Sequence, residues 1–442
     1  MPRSAAAAGR DGAVMKGRLN LFQRTMLRWR ALHPYNAVHV LRIDASLDVA
    51  RLRAAIARTL EGEGLTGLRL DAARGRYDYA GGPAPVSLAV LPAGADAQRA
   101  AEEVIERELN AAFPADGAFD PFRFFALDGG DRFHLGLAYD HFIAGGDSIV
   151  VLMKDLHDAY VEGERFTPRR LDRYPAAYGR LLARHAGRLV AGLPGLVEMI
   201  RSCRTTARPH YREGVPPTNA FLLRTVDAAT LAQARRVARS WGVTLNDLLL
   251  ALLLQAMAPL AGERRGGRRR MMAAASIVNI RGDFQPPASS VFGQFLSSFR
   301  VTHPMPAGQE LPALARDLQV QTRRTKQRKY YLQTLTGIAA SGLAWRFMAP
   351  EVRAVFHAKN YPVWGGVTLL NVEALWREAG GQAPADYFRG VPTGPMAPLV
   401  VAASTVNGRL HLGYSWRVAA FDRETVDNVA ARVLAGIRSL AP

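Results

Sequence analysis

Residues 140–148 read Asp-His-Phe-Ile-Ala-Gly-Gly-Asp-Ser, and this stretch joins a strand pattern to a helix pattern. An alternating run at 133–139 precedes it, and an apolar helical run at 149–156 follows it. His141 therefore lies where a predicted strand ends, a position that holds a side chain firmly beside a cleft. Imidazole is the commonest general base because its pKa lies near working pH. The stretch predicts a base that removes a proton from a substrate, and a packed strand-end histidine is the alternative.

The flanking patterns predict a mixture of helices and hairpin-connected strands that restarts in similar order in the second half. In the first half we expect strands at 36–44, 67–79, 86–90, 122–126 and 133–139, and helices at 48–61, 96–112 and up to 161. In the second half we expect strands at 221–226, 271–280, 295–301, 367–372, 399–405 and 410–416. Helices there are expected at 228–240, 244–260, 311–329, 331–348 and 421–440, with Thr244 as a possible N-cap.

The composition indicates a globular protein with two pseudo-repeated halves. The 442 residues are 49% hydrophobic and 21% charged. We divide them into a disordered tail at 1–19, an N-terminal lobe at 20–163, a connector at 164–216 and a C-terminal lobe at 217–442. The single cysteine, Cys203, excludes an internal disulfide and a cysteine-rich metal site. With no apolar signal segment at the N-terminus and no run of about 18 apolar residues, we expect a cytoplasmic protein.

Positive charge dominates, because the formal net charge is +19. Nucleic acid, an anionic membrane, a phosphorylated cofactor and an acidic protein are all partners that such a charge would attract. The charge is concentrated at 264–270 and 323–329, and no nucleic-acid-binding signature accompanies either run. We therefore expect no nucleic-acid partner. A solvated arginine-rich surface remains the alternative for both runs. The histidines show no metal-ligand spacing, and we predict no metal.

Six segments in order resemble those of one acyltransferase superfamily. Residues 140–148 resemble the HHxxxDG motif of condensation domains, and 244–251 (Thr-Leu-Asn-Asp-Leu-Leu-Leu-Ala) is similar to a helix opening of that family. Residues 277–282, 292–300, 368–371 and 408–416 are similar to later family segments. The resemblance covers about residues 20–440, and it points to the superfamily of chloramphenicol acetyltransferase, condensation domains and HxxxD acyltransferases.

The resemblance implies an α+β fold of two chloramphenicol-acetyltransferase-like sandwich lobes in a V-shaped pseudo-dimer with a central tunnel. It implies an acyl group carried as a thioester, on coenzyme A or on phosphopantetheine of an acyl or peptidyl carrier protein, which is a co-substrate and not a bound cofactor. His141 aligns with the catalytic histidine, which takes a proton from an alcohol or amine acceptor during direct transfer. No Gly-x-Ser-x-Gly segment suggests a covalent acyl-enzyme.

The sequence departs from the motif at two positions. Asp140 stands at the first histidine of the motif, and Gly145 stands at the motif aspartate. In the family that aspartate pairs with an arginine of the second lobe, and Arg281 is its counterpart here. An unpaired buried guanidinium is costly. We therefore expect another carboxylate to replace the missing one, with Asp147 as first candidate and Asp140 as second. Gly146 is a turn or close-approach glycine, and Asp147 and Ser148 are alternatively helix caps.

Further candidates concern the substrates and partners. Asn371 and Ser415 are candidates for substrate binding, and Asn371 is equally suited to ending a strand. Arg264, Arg265, Arg268, Arg323 and Arg324 are candidates for docking an acidic carrier protein or the phosphates of coenzyme A. We expect a monomer that acts on a small-molecule or lipid acceptor, and peripheral membrane contact stays open. The competing hypothesis is a non-catalytic carrier-binding or scaffold protein on the same fold.

Overall fold

The computed structural model describes residues 17–174, 178–262, 269–284 and 291–440. Its first half begins with strands and helices that alternate irregularly. The strands are β1 (Gly17–Arg18), β2 (Asn36–Ile43), β3 (Leu68–Asp71), β4 (Arg76–Tyr79), β5 (Leu88–Pro92), β6 (Gly117–Ala118), β7 (Phe122–Asp128) and β8 (Phe133–Asp140). The helices are α1 (Leu21–Arg30), α2 (Val49–Gly62), α3 (Ala97–Asn110) and α4 (Gly146–Glu162).

The connector region carries helices α5 (Tyr178–Arg184), α6 (Ala186–Ala191) and α7 (Leu193–Thr205). The second half contains strands β9 (Asn219–Val226), β10 (Met272–Asn279), β11 (Leu296–His303), β12 (Gly365–Asn371), β13 (Tyr387–Gly390), β14 (Leu399–Val406) and β15 (Arg409–Arg417). Its helices are α8 (Ala228–Ser240), α9 (Leu245–Met257), α10 (Leu311–Gln327), α11 (Tyr331–Ala344), α12 (Pro350–Asn360), α13 (Val372–Glu378) and α14 (Arg423–Arg438).

Each lobe is built on one large mixed sheet. The first lobe has a five-stranded sheet in the order β13-β2-β8-β7-β5, and the second has a six-stranded sheet in the order β11-β10-β12-β14-β15-β9. A smaller sheet, β1-β4-β3-β6, lies beside the first lobe. Helix α9 packs against the second sheet and is buried on nearly all sides, since its leucines at 248–250 and 252–254 are at most 2% exposed. Thr244 caps this helix and exchanges hydrogen bonds with Asp247, as the sequence predicts.

Each lobe contains contacts from both halves of the chain, so the lobes do not correspond to two consecutive halves of the sequence. Strand β13 comes from the second half of the chain but pairs antiparallel with β2, the register joining Tyr387 to Leu41 and Gly390 to Val38. The core of the first lobe consequently includes Trp376 and Tyr387. In the other direction, helix α3 of the first half packs against β9 of the second. The cleft between the lobes is thereby fixed by both halves of the chain.

Three expectations about elements need correction. The segment 67–79 forms two paired strands, β3 and β4, because the chain turns at 72–75. The disordered tail predicted for 1–19 extends too far, since Gly17–Arg18 pairs with Arg76–Tyr77 and Leu19 is buried, while residues 1–16 lie outside the described ranges. Helix α1, helix α12 and strand β13 have no counterpart among the predicted elements.

Candidate functional site

His141 follows the last residue of β8 and is enclosed by the first lobe. Its backbone N–H donates to the Tyr35 carbonyl at 3.1 Å. The rings of Tyr35 and Tyr139 have centroids 5.7 and 5.6 Å from the imidazole. Only 9% of the residue is exposed. Strand pairing and ring packing therefore hold the imidazole in one orientation.

The imidazole lines a cavity between the two lobes, with a volume of about 1250 Å³ counted to its open mouth. The first lobe contributes α1, β2 and the end of β8, and the second contributes β10, β11, β12 and the segment 391–397. Most of the lining is apolar, including Phe22, Met26, Trp29, Leu296, Val367 and Met396. Such a wall favours an aliphatic or aromatic ligand over a fully hydrated one.

The environment keeps His141 neutral. Burial lowers its pKa to about 4, the backbone of Ala144 opposes this, and the nearby Arg389 cation lowers the pKa further. The Nδ1 atom is enclosed and makes no hydrogen bond. The nearby Ala144 backbone favours the protonated imidazole, so it offsets part of the effect of burial on the pKa of His141. Nε2 is not enclosed in the same way. At neutral pH the imidazole is consequently an unprotonated base on the cavity wall.

The loop that follows His141 is held by a glutamine of the other lobe. Gln294 is fully buried, and its Nε2 donates to the carbonyls of His141 at 2.9 Å and Ala144 at 3.1 Å. The Gly145 N–H donates to the Gly293 carbonyl at 3.0 Å. Gln23 of α1 donates to the Phe142 carbonyl at 3.1 Å. Segments distant in sequence thus fix the backbone that carries the base.

Arg281 contacts Asp147, the carboxylate expected as first candidate. Its Nε donates to Asp147 Oδ2, and Asn279 donates to the same oxygen at 2.9 Å. Nη2 donates to Ser148 Oγ at 2.5 Å and to the Gly293 carbonyl at 3.0 Å, and Nη1 donates to the Val291 carbonyl at 2.5 Å. The pair joins the start of α4 in the first lobe to the turn after β10 in the second.

The position of the motif aspartate has no room for a side chain in this arrangement. A Cβ on Gly145 would lie 2.8 Å from Asp147 Oδ1 and 2.9 Å from Gln294 Oε1. A Cβ on Gly146 would lie 2.9 Å from Leu370 Cδ1. Real Cβ atoms do not approach neighbours this closely. A side chain at 145 would therefore require the Asp147 carboxylate and the Gln294 amide to move.

Asp140, the second candidate, has a different partner. It is 1% exposed, and its carboxylate pairs with Arg30 of α1. Arg30 also donates to the Ala115 carbonyl at 2.6 Å. Burial outweighs the arginine and raises the pKa of Asp140 to about 6. Asp140 therefore connects the end of β8 to α1 within the first lobe and does not serve Arg281.

The other predicted site residues occupy structural positions. Asn371 caps α13 by accepting from the Ala374 N–H at 3.0 Å, and its side chain does not line the cavity. Ser415 is fully buried in β15 and accepts from the Val391 N–H at 3.3 Å. It supports the segment 391–397 from outside the cavity. Both residues thus make structural contacts, and substrate contact by either one stays a prediction.

The docking candidates divide into two groups. Arg264, Arg265 and Arg268 lie outside the described residues. Arg323 and Arg324 are exposed on α10, and Arg324 lies 3.8 Å from Glu198 of α7. Both arginines of α10 are accessible to a partner, and docking of a carrier protein or of coenzyme A by them stays a prediction.

Three polar residues of the cavity wall were missed by sequence reasoning: His39, Tyr139 and Arg389. They are fully or almost fully buried, and they come from β2, β8 and β13. The Tyr387 hydroxyl hydrogen-bonds to His39 Nδ1 at 2.6 Å. They lie in separate strands, so no sequence spacing relates them. A polar residue inside an apolar strand, as with His39 between Val38 and Val40, was the only available signal.

In the described part of the chain, no cluster of three or more His, Cys, Asp or Glu side chains is arranged to hold a metal ion. Within the same residues no single helix has the length and apolar character needed to cross a membrane. The segments 228–240 and 245–261 meet those criteria only when joined, and they are bent by 98° with respect to each other.

Comparison with known proteins identifies the fold. No protein-family model and no curated protein matches this sequence. Among solved structures, SgcC5 from Streptomyces globisporus, complexed with (R)-(-)-1-(2-naphthyl)-1,2-ethanediol and sucrose, aligns with a TM-score of 0.67 and 14% identity. That alignment covers 96% of this chain and 98% of that one.

Two further structures give the same result. The starter condensation domain of rhizomide synthetase in complex with C8-CoA aligns with a TM-score of 0.64 and 16% identity, over 96% of this chain and 94% of that one. The epimerization domain from the third module of tyrocidine synthetase B aligns with a TM-score of 0.62 and 14% identity, over 96% of both chains. The predicted α+β two-lobe fold of condensation-type domains is confirmed. At these identities the matches establish the fold, and the chemistry has to be argued from the site.

Proposed function

We propose that the protein is a condensation-type acyltransferase that moves an acyl group from a thioester to an alcohol or amine. The observation that carries the proposal is a neutral, buried His141 on the wall of an apolar cavity between two lobes. A general base needs an unprotonated nitrogen held beside the substrate, and a cavity open to solvent at its mouth can admit a thioester arm. The cavity wall suits an acyl chain or an aromatic group.

In this mechanism Nε2 of His141 accepts the proton of the acceptor O–H or N–H. The acceptor oxygen or nitrogen attacks the thioester carbonyl carbon at the same time. When the tetrahedral intermediate collapses, the C–S bond breaks and the thiolate leaves, taking the proton from the imidazolium. The products are an ester or amide and a free thiol, and His141 is neutral again. The steps need no covalent acyl-enzyme and no bound cofactor.

Two neighbours support the choice of substrates. One condensation domain was solved with C8-CoA, an acyl-chain-sized coenzyme A compound, and SgcC5 was solved with an aryl ethanediol. By analogy we propose coenzyme A or a carrier protein as the thioester carrier, and a small alcohol or amine as the acceptor. A cytoplasmic location stays a prediction.

The test is an intact-mass assay of acyl transfer. Purified protein is mixed with acyl-loaded carrier proteins, acyl-coenzyme A and a panel of alcohols and amines. Wild-type protein should remove the acyl group only when an acceptor is present, and His141→Ala should slow transfer by about 10²–10⁴-fold, the usual contribution of a general base. His134→Ala is the matched control, because His134 lies in β8, the strand that precedes His141, but does not line the cavity.

Two outcomes would reject the proposal. Transfer that is unchanged in His141→Ala would remove the histidine from the mechanism. Carrier binding without acyl loss, across a panel known to contain the native partners, would favour the non-catalytic carrier-binding protein, which the glycine at position 145 already suggests as the alternative.

A further inference from the structure

Arg389 is a buried cation whose hydrogen-bond partners are all neutral. It lies in β13 and is 2% exposed. Its Nε donates to Ser404 Oγ at 2.9 Å, and its Nη2 donates to the carbonyls of Thr368 and Ala403 at 2.9 and 2.8 Å. These bonds orient the guanidinium but do not compensate its charge.

No carboxylate pairs with Arg389 in the parts of the chain that the structure describes. Two other arginines near the cavity, Arg30 and Arg281, each contact an aspartate. Removing an uncompensated cation from water is costly, and burial lowers the pKa of Arg389 to about 10, so it still carries its charge at neutral pH. A buried charge without a partner in its own chain indicates an anion supplied by a ligand.

The third guanidinium nitrogen, Nη1, is free to bind such an anion. It makes no hydrogen bond to any described residue, and Arg389 lines the cavity. A Cβ on Gly146 would lie 3.3 Å from Nη1, so this nitrogen reaches the first residue of α4. Helix α4 has 17 residues, and its N-cap residue, Gly145, has no side chain to cap it, while Asp147 in the first turn accepts from the Ser148 N–H at 2.9 Å. The positive end of the helix dipole therefore lies beside the same nitrogen.

Two uncharged donors complete this part of the wall. The Tyr139 hydroxyl and His39 Nε2 are enclosed without a hydrogen-bond partner, and both residues line the cavity. Burial and Arg389 lower the pKa of His39 well below its usual value, so it is neutral. If the Tyr387 hydroxyl donates to Nδ1, then Nε2 carries the proton and is a donor. We call these four residues, His39, Tyr139, Gly146 and Arg389, the polar corner.

We propose that the polar corner binds a carboxylate, so that the ligand of this cavity is an acid with an apolar group. The inference rests on the proposed function in one respect, since it makes the carboxylate part of the acceptor or of the acyl group that reacts beside His141. A guanidinium, two neutral donors and a helix N-terminus together match the two oxygens of a carboxylate. The remaining apolar wall accommodates the rest of the molecule.

Binding of an acid would also act on the base. Arg389 is one of the charges that lower the pKa of His141. A carboxylate on Arg389 would neutralise that charge and raise the pKa of His141 in the complex, which makes the imidazole a stronger proton acceptor only when the acidic ligand is in place.

The experiment measures binding, so that it does not depend on transfer. N-octanoylglycine and its carboxamide, N-octanoylglycinamide, are titrated into the full-length protein by calorimetry. Wild-type protein should bind the acid about tenfold or more tightly than the amide, as expected for a buried charge-assisted pair. Arg389→Met should remove the difference, and Arg389→Lys should retain part of it. Arg239→Met, exposed on α8 and away from the cavity, is the matched control and should leave the ratio unchanged.

Equal affinities in the wild type would overturn the proposal, as would no binding of either compound, or an acid preference that survives Arg389→Met. If Arg389→Met does not fold, the wild-type ratio and Arg389→Lys still decide. Two further pairs identify the source of the anion. A preference for succinyl-pantetheine over butyryl-pantetheine places the carboxylate on the acyl group, and its absence beside a preference for N-octanoylglycine places it on the acceptor. An Arg389-dependent preference only for phosphopantetheine over pantetheine would replace the carboxylate by a phosphate and reject the proposal.

The binding result and the transfer result are separable. Transfer that needs His141 without any acid preference would keep the proposed function and remove this inference. A preference for the acid without any transfer would keep this inference and remove the proposed function.

Discussion

Two aspartate–arginine pairs flank His141, and they differ in what they join. Asp140 and Arg30 both belong to the first lobe, and they connect the end of β8 to α1. Asp147 and Arg281 belong to different lobes, and they connect α4 to the turn after β10. The first pair is the more deeply buried of the two, because Asp140 is 1% exposed.

The inner pair holds the strand end from which His141 projects, and the outer pair holds the lobes together around the cavity. In the outer pair the carboxylate lies in the first turn of α4, and the contact with Arg281 is made from there.

The largest effect is expected from removing the inner carboxylate. Asp140→Ala leaves the Arg30 guanidinium buried without its partner, so the free energy of unfolding should fall by about 3–5 kcal/mol. Urea denaturation followed by circular dichroism measures the change. The double variant Asp140→Ala/Arg30→Met, which removes both charges, should lose less. A loss below about 1 kcal/mol in the single variant would mean that the pair does not fix the strand end.

A smaller loss is expected at the outer pair. Asp147→Asn removes one charged acceptor, but Arg281 still donates to Ser148 and to the Gly293 carbonyl. The free energy of unfolding should fall by about 1.5–3 kcal/mol, the usual value of a hydrogen bond to a charged group. The same denaturation experiment measures it. A loss as large as that of Asp140→Ala would remove the distinction between the pairs.

Restoring the motif aspartate should be harmful by itself. Gly145→Asp places a side chain against Asp147 and Gln294 and brings two carboxylates together, so it should cost about 1–3 kcal/mol as an overpacked substitution. Gly145→Asp/Asp147→Gly should recover most of that loss, because the carboxylate then has the space vacated at 147. Thermal unfolding of the three variants measures the recovery. If the single variant is as stable as the wild type, the conflict between a side chain at 145 and the Asp147 carboxylate is wrong.

The pH dependence of transfer follows from the burial of His141. The base form exists above its pKa, which burial lowers to about 4 from an ordinary value of 6.5. The acid limb of kcat/KM should therefore lie well below pH 6.5. The pKa of His141 is also lower in the folded state than in the unfolded state. The free energy of unfolding should therefore decrease as pH falls from 6.5 towards 4. A profile of kcat/KM against pH measures the limb, and a limb at or above 6.5 would contradict a buried neutral base.

The smallest effect is expected at the surface. The Arg324–Glu198 pair is exposed on both sides, so reversing Arg323 and Arg324 to Glu should change stability by less than about 1 kcal/mol. If α10 docks an acidic carrier protein, the reversal should slow transfer at low salt and matter less at high salt. The rate of acyl transfer, measured at a low and a high salt concentration, tests this prediction. An unchanged rate at both concentrations would reject docking at α10.

Local patterns in the sequence predicted much of the fold. Alternation predicted β8, the Asn-Gly pair at 407–408 predicted the hairpin of β14 and β15, and the apolar block at 248–257 predicted the buried helix α9. Helix α1 was missed although its signals were present. Asn20 and Gln23 form a capping box, and Phe22, Met26 and Trp29 lie on one face.

The site was predictable only where it is local. His141 and Asp147 lie within one stretch of nine residues, and the contact of Asp147 with Arg281 was expected because a buried guanidinium needs a partner. Strand β13 has only four residues and joins the sheet of the other lobe. No local pattern shows such a crossing, so Arg389 and the polar corner became visible only in three dimensions.

The most direct test of the central claim is the single-turnover rate of acyl transfer in wild type, His141→Ala and Asp147→Asn with the same donor and acceptor. The account predicts that His141→Ala loses about 10²–10⁴-fold, since the base itself is removed. Asp147→Asn should lose much less, because it only loosens the loop that holds the base. Equal rates for wild type and His141→Ala would contradict the account.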